Sequence, residues 1–348
     1  GGRALLHERG EEPRERLGGV EQHVEHDGPQ LDLAEPQRVE GGLEVVGERR
    51  DGVGVEHARQ ALEGVHRPER PIHVLGIGGK VSAQRLVDGR IERWSTVVGE
   101  HRLPSPVGAL DDVERLPDTP TAITVDIVRP DGERAFVSDF TPLDRFDHAL
   151  VERHRAAIVP ASTLCLVGIF CLPNFDLADM TTLFRSARQR GQSTVLDTGW
   201  DPTNWPEEHL AALRKLLQWT DIFLPNHDEA RAITGLDTPV DAARALMELG
   251  PSTVVVKCGA DGSLAVTRDE LVTVPAYPTD VIDAVGAGDA FDAGFLLGHL
   301  SGASLETSLQ LGNATASIYV SRMESRFPTE EEVRTRMSSR TTIADSAS

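Results

Sequence analysis

Short apolar runs alternate with amphipathic segments between residues 163 and 225, and this alternation most constrains the fold. The runs "TLCLVGIF" (163–170), "TVLDT" (194–198) and "DIFLP" (221–225) are typical of buried strands. Between them, "DLADMTTLFRSARQRG" and residues 206–218 have the spacing of helices, the first ending at Gly191. The pattern predicts an α/β fold, with a doubly wound, mostly parallel sheet and helices on both faces.

In such sheets, ligands bind beyond the carboxyl ends of the strands. Polar residues that directly follow predicted strands are therefore the first candidates for a site. They are Asp197, Asp201, Asn226, Glu229, and Lys257 or Gly259.

Charge and apolar content exclude several classes of partner. The formal charge of −20 and the pI near 5.0 argue against nucleic acid and against an anionic membrane, because both would repel the chain. The longest near-continuous apolar run, residues 163–172, is too short to span a membrane, and no signal peptide opens the chain. We therefore expect a cytoplasmic protein. The three cysteines lack metal-ligand spacing, which favours buried, reduced thiols.

The composition changes sharply along the chain. Residues 1–120 contain no Phe, Tyr, Asn, Cys or Met, and their apolar residues keep neither a period of 2 nor one of 3.6. We expect residues 1–118 to be an atypical segment, disordered, divergent or from a shifted reading frame, that supplies no sheet strands. The folded domain would span 119–337 and a disordered tail 338–348. "GIGGK" (76–80) lacks the spacing of a phosphate-binding loop.

Two segments predict hairpins. "TAITVDIVRPDGERAFV" (121–137) has β-rich runs on both sides of a Pro-Asp-Gly turn. "VVVKCGADGSLAV" (254–266) has two runs around Gly259 and Gly262, where bare backbone would let a flat ring approach. The alternative is an ordinary hairpin, since any β-turn can carry two glycines.

The stretch "DAVGAGDAF" (283–291) combines a glycine-rich turn with an acid. Val281 and Ile282 are predicted to end a strand, and Gly286, Ala287 and Gly288 to turn the chain into a helix over residues 289–300. The uncovered amides of this turn, at the positive end of the helix dipole, suit a phosphate or a phosphoryl group in transfer. Asp289 could accept a proton from an attacking hydroxyl. The alternative is that Asp289 only caps the helix.

The segment "LPNHDEA" (224–230) opens a helix directly after a strand. Asn226 and Glu229 are three residues apart, so both side chains can face one crevice and organise Mg²⁺ or its waters. The alternative is a capping box, in which the same two residues satisfy the free amides of the helix.

These three segments, followed by "LGNATASIYVSR" and "FPTEEEV" (311–333), resemble the ribokinase-like, PfkB-type carbohydrate kinases over residues 119–337. The resemblance implies ATP-dependent phosphorylation of a sugar-like hydroxyl. It implies that Asp289 is the catalytic base and that the amides of Gly286, Ala287 and Gly288 form the anion hole. Asn226 and Glu229 would serve magnesium and phosphate, and Asp283 would help to bind potassium. The nucleotide groove would include Lys257, Gly259, Gly262 and Asn313.

The start of the chain departs from this family. Its opening strand with a sugar-binding Asp, and the "GG" that follows, are absent from residues 1–118, so the sheet is expected to lack its leading strands. Two alternatives stay open: a catalytically impaired nucleotide-binding chain, and a nucleoside kinase. The substrate would be a small sugar or nucleoside, and a homodimer stays open as the assembly.

Overall fold

The structure is a computed structural model that describes five strands within residues 72–139, and residues 141–322 and 327–345. Side chains are described for residues 143–322 and 327–339. All of these residues belong to one compact unit, Asp51–Ser348. The strands are β1 Ile72–Gly76, β2 Arg93–Val98, β3 Val113–Arg115, β4 Ile123–Val128, β5 Arg134–Asp139, β6 Thr163–Val167, β7 Ser193–Asp197, β8 Ile222–Phe223, β9 Thr253–Lys257, β10 Ser263–Thr267 and β11 Leu271–Val274. The α-helices are α1 His148–Arg153, α2 Arg155–Ile158, α3 Leu177–Gln189, α4 Glu207–Leu217, α5 His227–Thr234, α6 Pro239–Met247, α7 Ala287–Leu300, α8 Leu305–Val320 and α9 Glu330–Asp345.

Nine of the described strands form one sheet in the order β11-β10-β9-β8-β7-β6-β1-β2-β3. The pairs from β3 to β9 are parallel, whereas β10 pairs antiparallel with both β9 and β11. β4 and β5 form a separate antiparallel pair. The predicted mostly parallel sheet and both hairpins are therefore confirmed, although the Pro-Asp-Gly turn (130–132) lies outside the described residues.

The central strands bury both of their faces, since alternate side chains enter different clusters. Val254 and Val256 of β9 join a cluster with α3, α4 and α6, and Val255 between them joins a cluster with α7 and α8. Successive side chains of a strand point to opposite faces of its sheet, so these clusters lie on opposite faces. This is why β6, β7 and β9 appear as continuous apolar runs rather than alternating ones. The expectation of helices on both faces is confirmed.

Helices α7 and α8 pack closely because glycines line their contact. A Cβ added at Gly294 would lie 2.6 Å from the carbonyl oxygen of Leu311 and 2.6 Å from Oγ1 of Thr315. Gly312 of α8 faces the ring of Phe291 in the same way. The backbones of the two helices are therefore nearer than a side chain would allow.

The prediction that residues 1–118 supply no strands is wrong. β1, β2 and β3 lie in this segment, and β1 pairs with β6 over five residues. Strands of three to six residues are too short to show a sustained period, so a test for periodicity misses them. The remaining residues of 1–118, including 77–80 of "GIGGK", lie outside the described residues.

Two other boundaries differ from expectation. Val281 and Ile282 do not end a strand: they lie in an exposed loop, at 59% and 56% exposure, because the sheet ends at β11. The last helix, α9, runs to Asp345, so the predicted tail 338–348 starts within a helix rather than after one. None of the helices in the described parts of the chain is long and apolar enough to cross a membrane.

Candidate active site

Three neighbouring parallel strands, β7, β8 and β9, end at the same edge of the sheet. Asp197 is the last residue of β7, Lys257 is the last residue of β9, and Asn226 follows β8. Asn226 and Lys257 form a parallel bridge, and the amide of Lys257 donates to the carbonyl of Pro225 at 3.0 Å. The sequence therefore brings these polar residues together at the carboxyl edge, as predicted for this class of sheet.

The first turn of α7 carries the predicted base. Its N-cap is Gly286, in the left-handed region with φ of 87°, and no side chain caps the helix. A Cβ at Gly286 would lie 3.0 Å from Oη of Tyr319, so both the backbone angle and the space require glycine. Asp289 is the third helical residue and is half-buried. The alternative that Asp289 is the N-cap is therefore wrong, because the helix begins earlier than the pattern indicated.

The amides of the predicted anion hole differ in their partners. The amide of Ala287 donates to the carbonyl of Ala284 at 3.1 Å, which closes the turn before the helix. The amides of Gly286 and Gly288 donate to no carbonyl in the described part of the chain. The uncovered donors of this helix N-terminus are thus on the two glycines, where no side chain blocks an approaching anion.

Asn226 and Glu229 form a complete capping box at the start of α5. Oδ1 of Asn226 accepts from the amide of Glu229 at 2.9 Å, and Oε2 of Glu229 accepts from the amide of Asn226 at 2.9 Å. Nδ2 of Asn226 also donates to Oε1 of Glu229 at 2.7 Å. The capping alternative is therefore realised. It leaves one lone pair on each carboxylate oxygen, enough to orient waters of Mg²⁺.

Glu229 is buried, with 3% of its surface exposed. Burial, and then the negative charge of Asp197, raise the pKa of Glu229 from 4.5 to about 7. The carboxyl group of Glu229 therefore changes its charge near neutral pH. The charged groups that act on it include Asp197, at the end of β7, and Lys257, at the end of β9.

Lys257 is surrounded by carboxyl groups. Its Nζ lies 2.9 Å from Oδ2 of Asp197 and 3.1 and 3.3 Å from the carboxyl oxygens of Asp292. We call Lys257, Asp197 and Asp292 the lysine cluster. All three residues are buried or nearly so, with side-chain exposures of 11%, 9% and 6%.

The members of the lysine cluster shift the pKa values of one another. Burial would raise the pKa of Asp197, but the charge of Lys257 lowers it, so Asp197 is ionised. Burial, and then the charge of Asp197, raise the pKa of Asp292 well above its usual value, and Asp289 adds to this rise. Burial opposes the charge on Lys257, yet Asp197 and Asp292 raise its pKa overall.

The other predicted site residues lie in different contacts. A Cβ added at Gly259 (φ 58°) would meet no atom of the described residues within 4 Å, whereas a Cβ at Gly262 would lie 2.1 Å from the carbonyl oxygen of Val274. Asn313 is buried, and its Nδ2 donates to the carbonyl oxygens of Val274 and Pro275 at 3.0 and 3.3 Å. Gly262 and Asn313 thus both contact the end of β11.

Two further predicted residues make local contacts. The carboxylate of Asp283 is exposed and accepts from the amide of Val285 at 2.9 Å. Asp201, which follows β7, is buried and accepts from Thr203, with Nδ1 of His209 at 2.7 Å. Among the residues whose side chains are described, no group of three or more His, Cys, Asp or Glu is arranged to hold a metal ion.

Asp292 is the site residue that sequence reasoning missed. The available signal was an acid within the apolar helix segment "AFDAGFLLG", where a buried charge needs a partner. That partner, Lys257, lies 35 residues earlier and is brought close only by the fold.

The structure shows an α/β sheet with a cluster of polar residues at its carboxyl edge, and comparison with known families gives the class of protein. The model of the pfkB family carbohydrate kinases matches residues 109–332. The chain belongs to this family. The match begins before the predicted start at residue 119 and spans the site described above.

Two curated relatives illustrate the similarity. An uncharacterized sugar kinase of Archaeoglobus fulgidus is 38% identical over 122 residues, which are 35% of this chain and 48% of the relative. A 1-phosphofructokinase of Haloferax volcanii is 37% identical over 177 residues, which are 49% of this chain and 53% of the relative. The chain thus spans about half the length of these curated relatives.

Solved structures match over more of the chain. Arabidopsis thaliana ribokinase, complexed with ribose and ATP, has a TM-score of 0.64 and 21% identity, covering 77% of this chain and 98% of that one. A ribokinase II from E. coli in complex with ATP and Mg²⁺ has a TM-score of 0.63 and 20% identity, covering 77% and 99%. At this level of identity, the similarity shows the ribokinase-like fold.

Proposed function

We propose that this chain is a kinase that transfers the γ-phosphoryl group of ATP to a hydroxyl group of a small sugar. The observation that carries the proposal is the first turn of α7, where Asp289 stands directly after two glycine amides that donate to no carbonyl in the described residues. An acid and an anion-binding turn within one helical turn are what phosphoryl transfer to a hydroxyl requires. Membership in the carbohydrate kinase family supports the same reaction.

The proposed reaction follows from this geometry. The carboxylate of Asp289 accepts the proton of the sugar hydroxyl as its oxygen attacks the γ-phosphorus. The new oxygen–phosphorus bond forms as the bond to the bridging β–γ oxygen breaks, and ADP leaves with that electron pair. The amides of Gly286 and Gly288 and the positive end of the α7 dipole stabilise the negative charge on the transferred group.

Asn226 and Glu229 would hold magnesium through its waters, because their capping box fixes both side chains at the carboxyl end of β8. Magnesium, when bound, would neutralise charge on the phosphate oxygens. Gly259 offers the open backbone for a nucleotide base. Roles in the nucleotide groove for Gly262 and Asn313, potassium binding at Asp283, a cytoplasmic location and a homodimer stay predictions.

The test measures ADP formation and phosphorylated product with a panel of sugars, sugar phosphates, sugar acids and nucleosides. We expect turnover with a sugar-type acceptor, and a loss of about 10²- to 10⁴-fold in kcat for Asp289→Asn, with ATP affinity within a few fold. Asp269→Asn is the matched control. Asp269 is an exposed acid in the turn between β10 and β11, at the edge of the sheet opposite to the candidate site.

Three results would contradict the proposal. If Asp289→Asn kept near wild-type turnover, Asp289 would not be the catalytic base. Turnover with nucleosides alone would favour the nucleoside kinase, and ATP binding without turnover on any acceptor would favour the catalytically impaired chain.

A further inference from the structure

The lysine cluster joins three elements at the carboxyl edge of the sheet. Asp197 ends β7, Lys257 ends β9, and Asp292 lies in the second turn of α7. Lys257 is 60 residues from Asp197 and 35 from Asp292 along the chain. A single ammonium group therefore connects two strands to the helix that carries Asp289.

The first turn of α7 depends on outside contacts for its position. No side chain caps this helix, and its N-cap is a glycine. The ammonium group of Lys257 lies next to this turn: a Cβ added at Gly288 would be 3.4 Å from Nζ of Lys257. Asp292 is three residues after Asp289, so both lie on neighbouring positions of one helix face. Lys257 thus contacts α7 at Asp292, in the second turn, and its ammonium group lies next to Gly288, in the first.

The surroundings of Lys257 leave it little freedom to serve a nucleotide. Its side chain is 11% exposed, and Nζ makes short contacts to both neighbouring carboxyl groups. Withdrawing the ammonium group would leave the buried Asp197 charge without its cation, which is strongly unfavourable.

We propose that Lys257 is a positioning residue: its ammonium group fixes the first turn of α7, and with it Asp289, to the carboxyl ends of β7 and β9. This inference rests on the proposed phosphotransfer by Asp289. It assigns Lys257 a role different from the contact with the nucleotide that the family resemblance implies.

The test replaces the ion pair as a unit, because Lys257→Met alone would leave a buried charge and could fail to fold. In the full chain, Lys257→Met combined with Asp197→Asn removes both charges. We expect kcat to fall about 10²-fold, the size of effect expected when reacting groups are misplaced by about 1 Å. We expect the Kd for ATP to stay within a few fold. Arg188→Met is the control, since it removes the cation of another ion pair, 3.3 Å from Asp221, at the amino end of β8.

Asp292 provides the conservative variant. Asp292→Asn keeps a side-chain oxygen that can accept from Nζ of Lys257, so we expect it to retain most of the kcat. Asp292→Ala removes the contact of α7 with Nζ of Lys257 and should resemble the Lys257→Met, Asp197→Asn pair. A stability role alone would lower the melting temperature without separating kcat from ATP affinity in this way.

Amide hydrogen exchange of residues 286–292 provides a measurement that needs no turnover. The paired variant should exchange these amides at least tenfold faster than the wild type, and Arg188→Met should not. This arm still decides the inference if the wild type phosphorylates no acceptor and the proposed function fails. Unchanged exchange of these amides in the paired variant would overturn the positioning role, and so would a tenfold rise in the Kd for ATP with kcat retained.

Discussion

Replacing Gly294 by alanine tests the close contact between α7 and α8. The added Cβ would lie 2.6 Å from the carbonyl oxygen of Leu311, about 0.8 Å inside the 3.4 Å at which ordinary contact begins. A backbone oxygen cannot rotate away, so α7 and α8 must separate. Overpacking of this kind costs about 3 kcal/mol at the upper end of its usual range, and alanine returns about 1 kcal/mol through its helix propensity. The net destabilisation is therefore about 2 kcal/mol.

Thermal unfolding, followed by circular dichroism, measures this cost. A loss of about 2 kcal/mol corresponds to a fall in Tm of about 4–8 °C for domains of 150–250 residues. Gly298→Ala is the graded comparison, because its Cβ would meet the mobile Cδ1 of Leu311 at 2.9 Å and the Cα of Ser308 at 3.0 Å. We expect a smaller fall there. A Tm of Gly294→Ala equal to or above the wild type would refute the close contact.

Two further predictions concern buried groups. Folding raises the pKa of Glu229 to about 7, so the folded state binds more protons than the unfolded state between about pH 4.5 and 7, and stability should fall as the pH rises through this window. The Tm of Glu229→Gln should therefore fall less than that of the wild type between pH 5 and pH 8. Parallel curves of Tm against pH for the two proteins would contradict this. Burial raises the pKa of the Cys165 thiol, so Cys165 should react with a thiol reagent only after unfolding. Cys165→Ser is the control, and it should leave the number of thiols that react in the native state unchanged.

Much of the fold could be predicted because buried parallel strands leave a strong local signal. β6, β7 and β9 are short apolar runs with helices between them, and this pattern depends only on neighbouring residues. The capping box at Asn226 and Glu229 is local in the same way, since three residues separate its members. The start of α7 was placed two residues too late, because glycine and alanine carry no side-chain pattern.

Contacts between distant parts of the chain could not be predicted in this way. β1 to β3 are held by pairing with strands elsewhere in the sequence, and their own residues are too few to show a period. The contact of Asp292 with Lys257 depends on the register of α7 against β9. The amide group of Asn313 satisfies two carbonyl oxygens at the end of β11, a need that only the fold creates.

The loop before α7 is attached to the far end of α8. The amides of Ile282 and Asp283 donate to the carbonyl of Val320 at 2.8 and 3.2 Å, and Tyr319 lies against Gly286. Because α7 and α8 are also in backbone contact at Gly294, the loop, the first turn of α7 and both helices are joined into one unit. Such a unit loses little conformational entropy when a substrate arrives. Any movement that accompanies binding must carry these elements together, with its hinge outside residues 281–320.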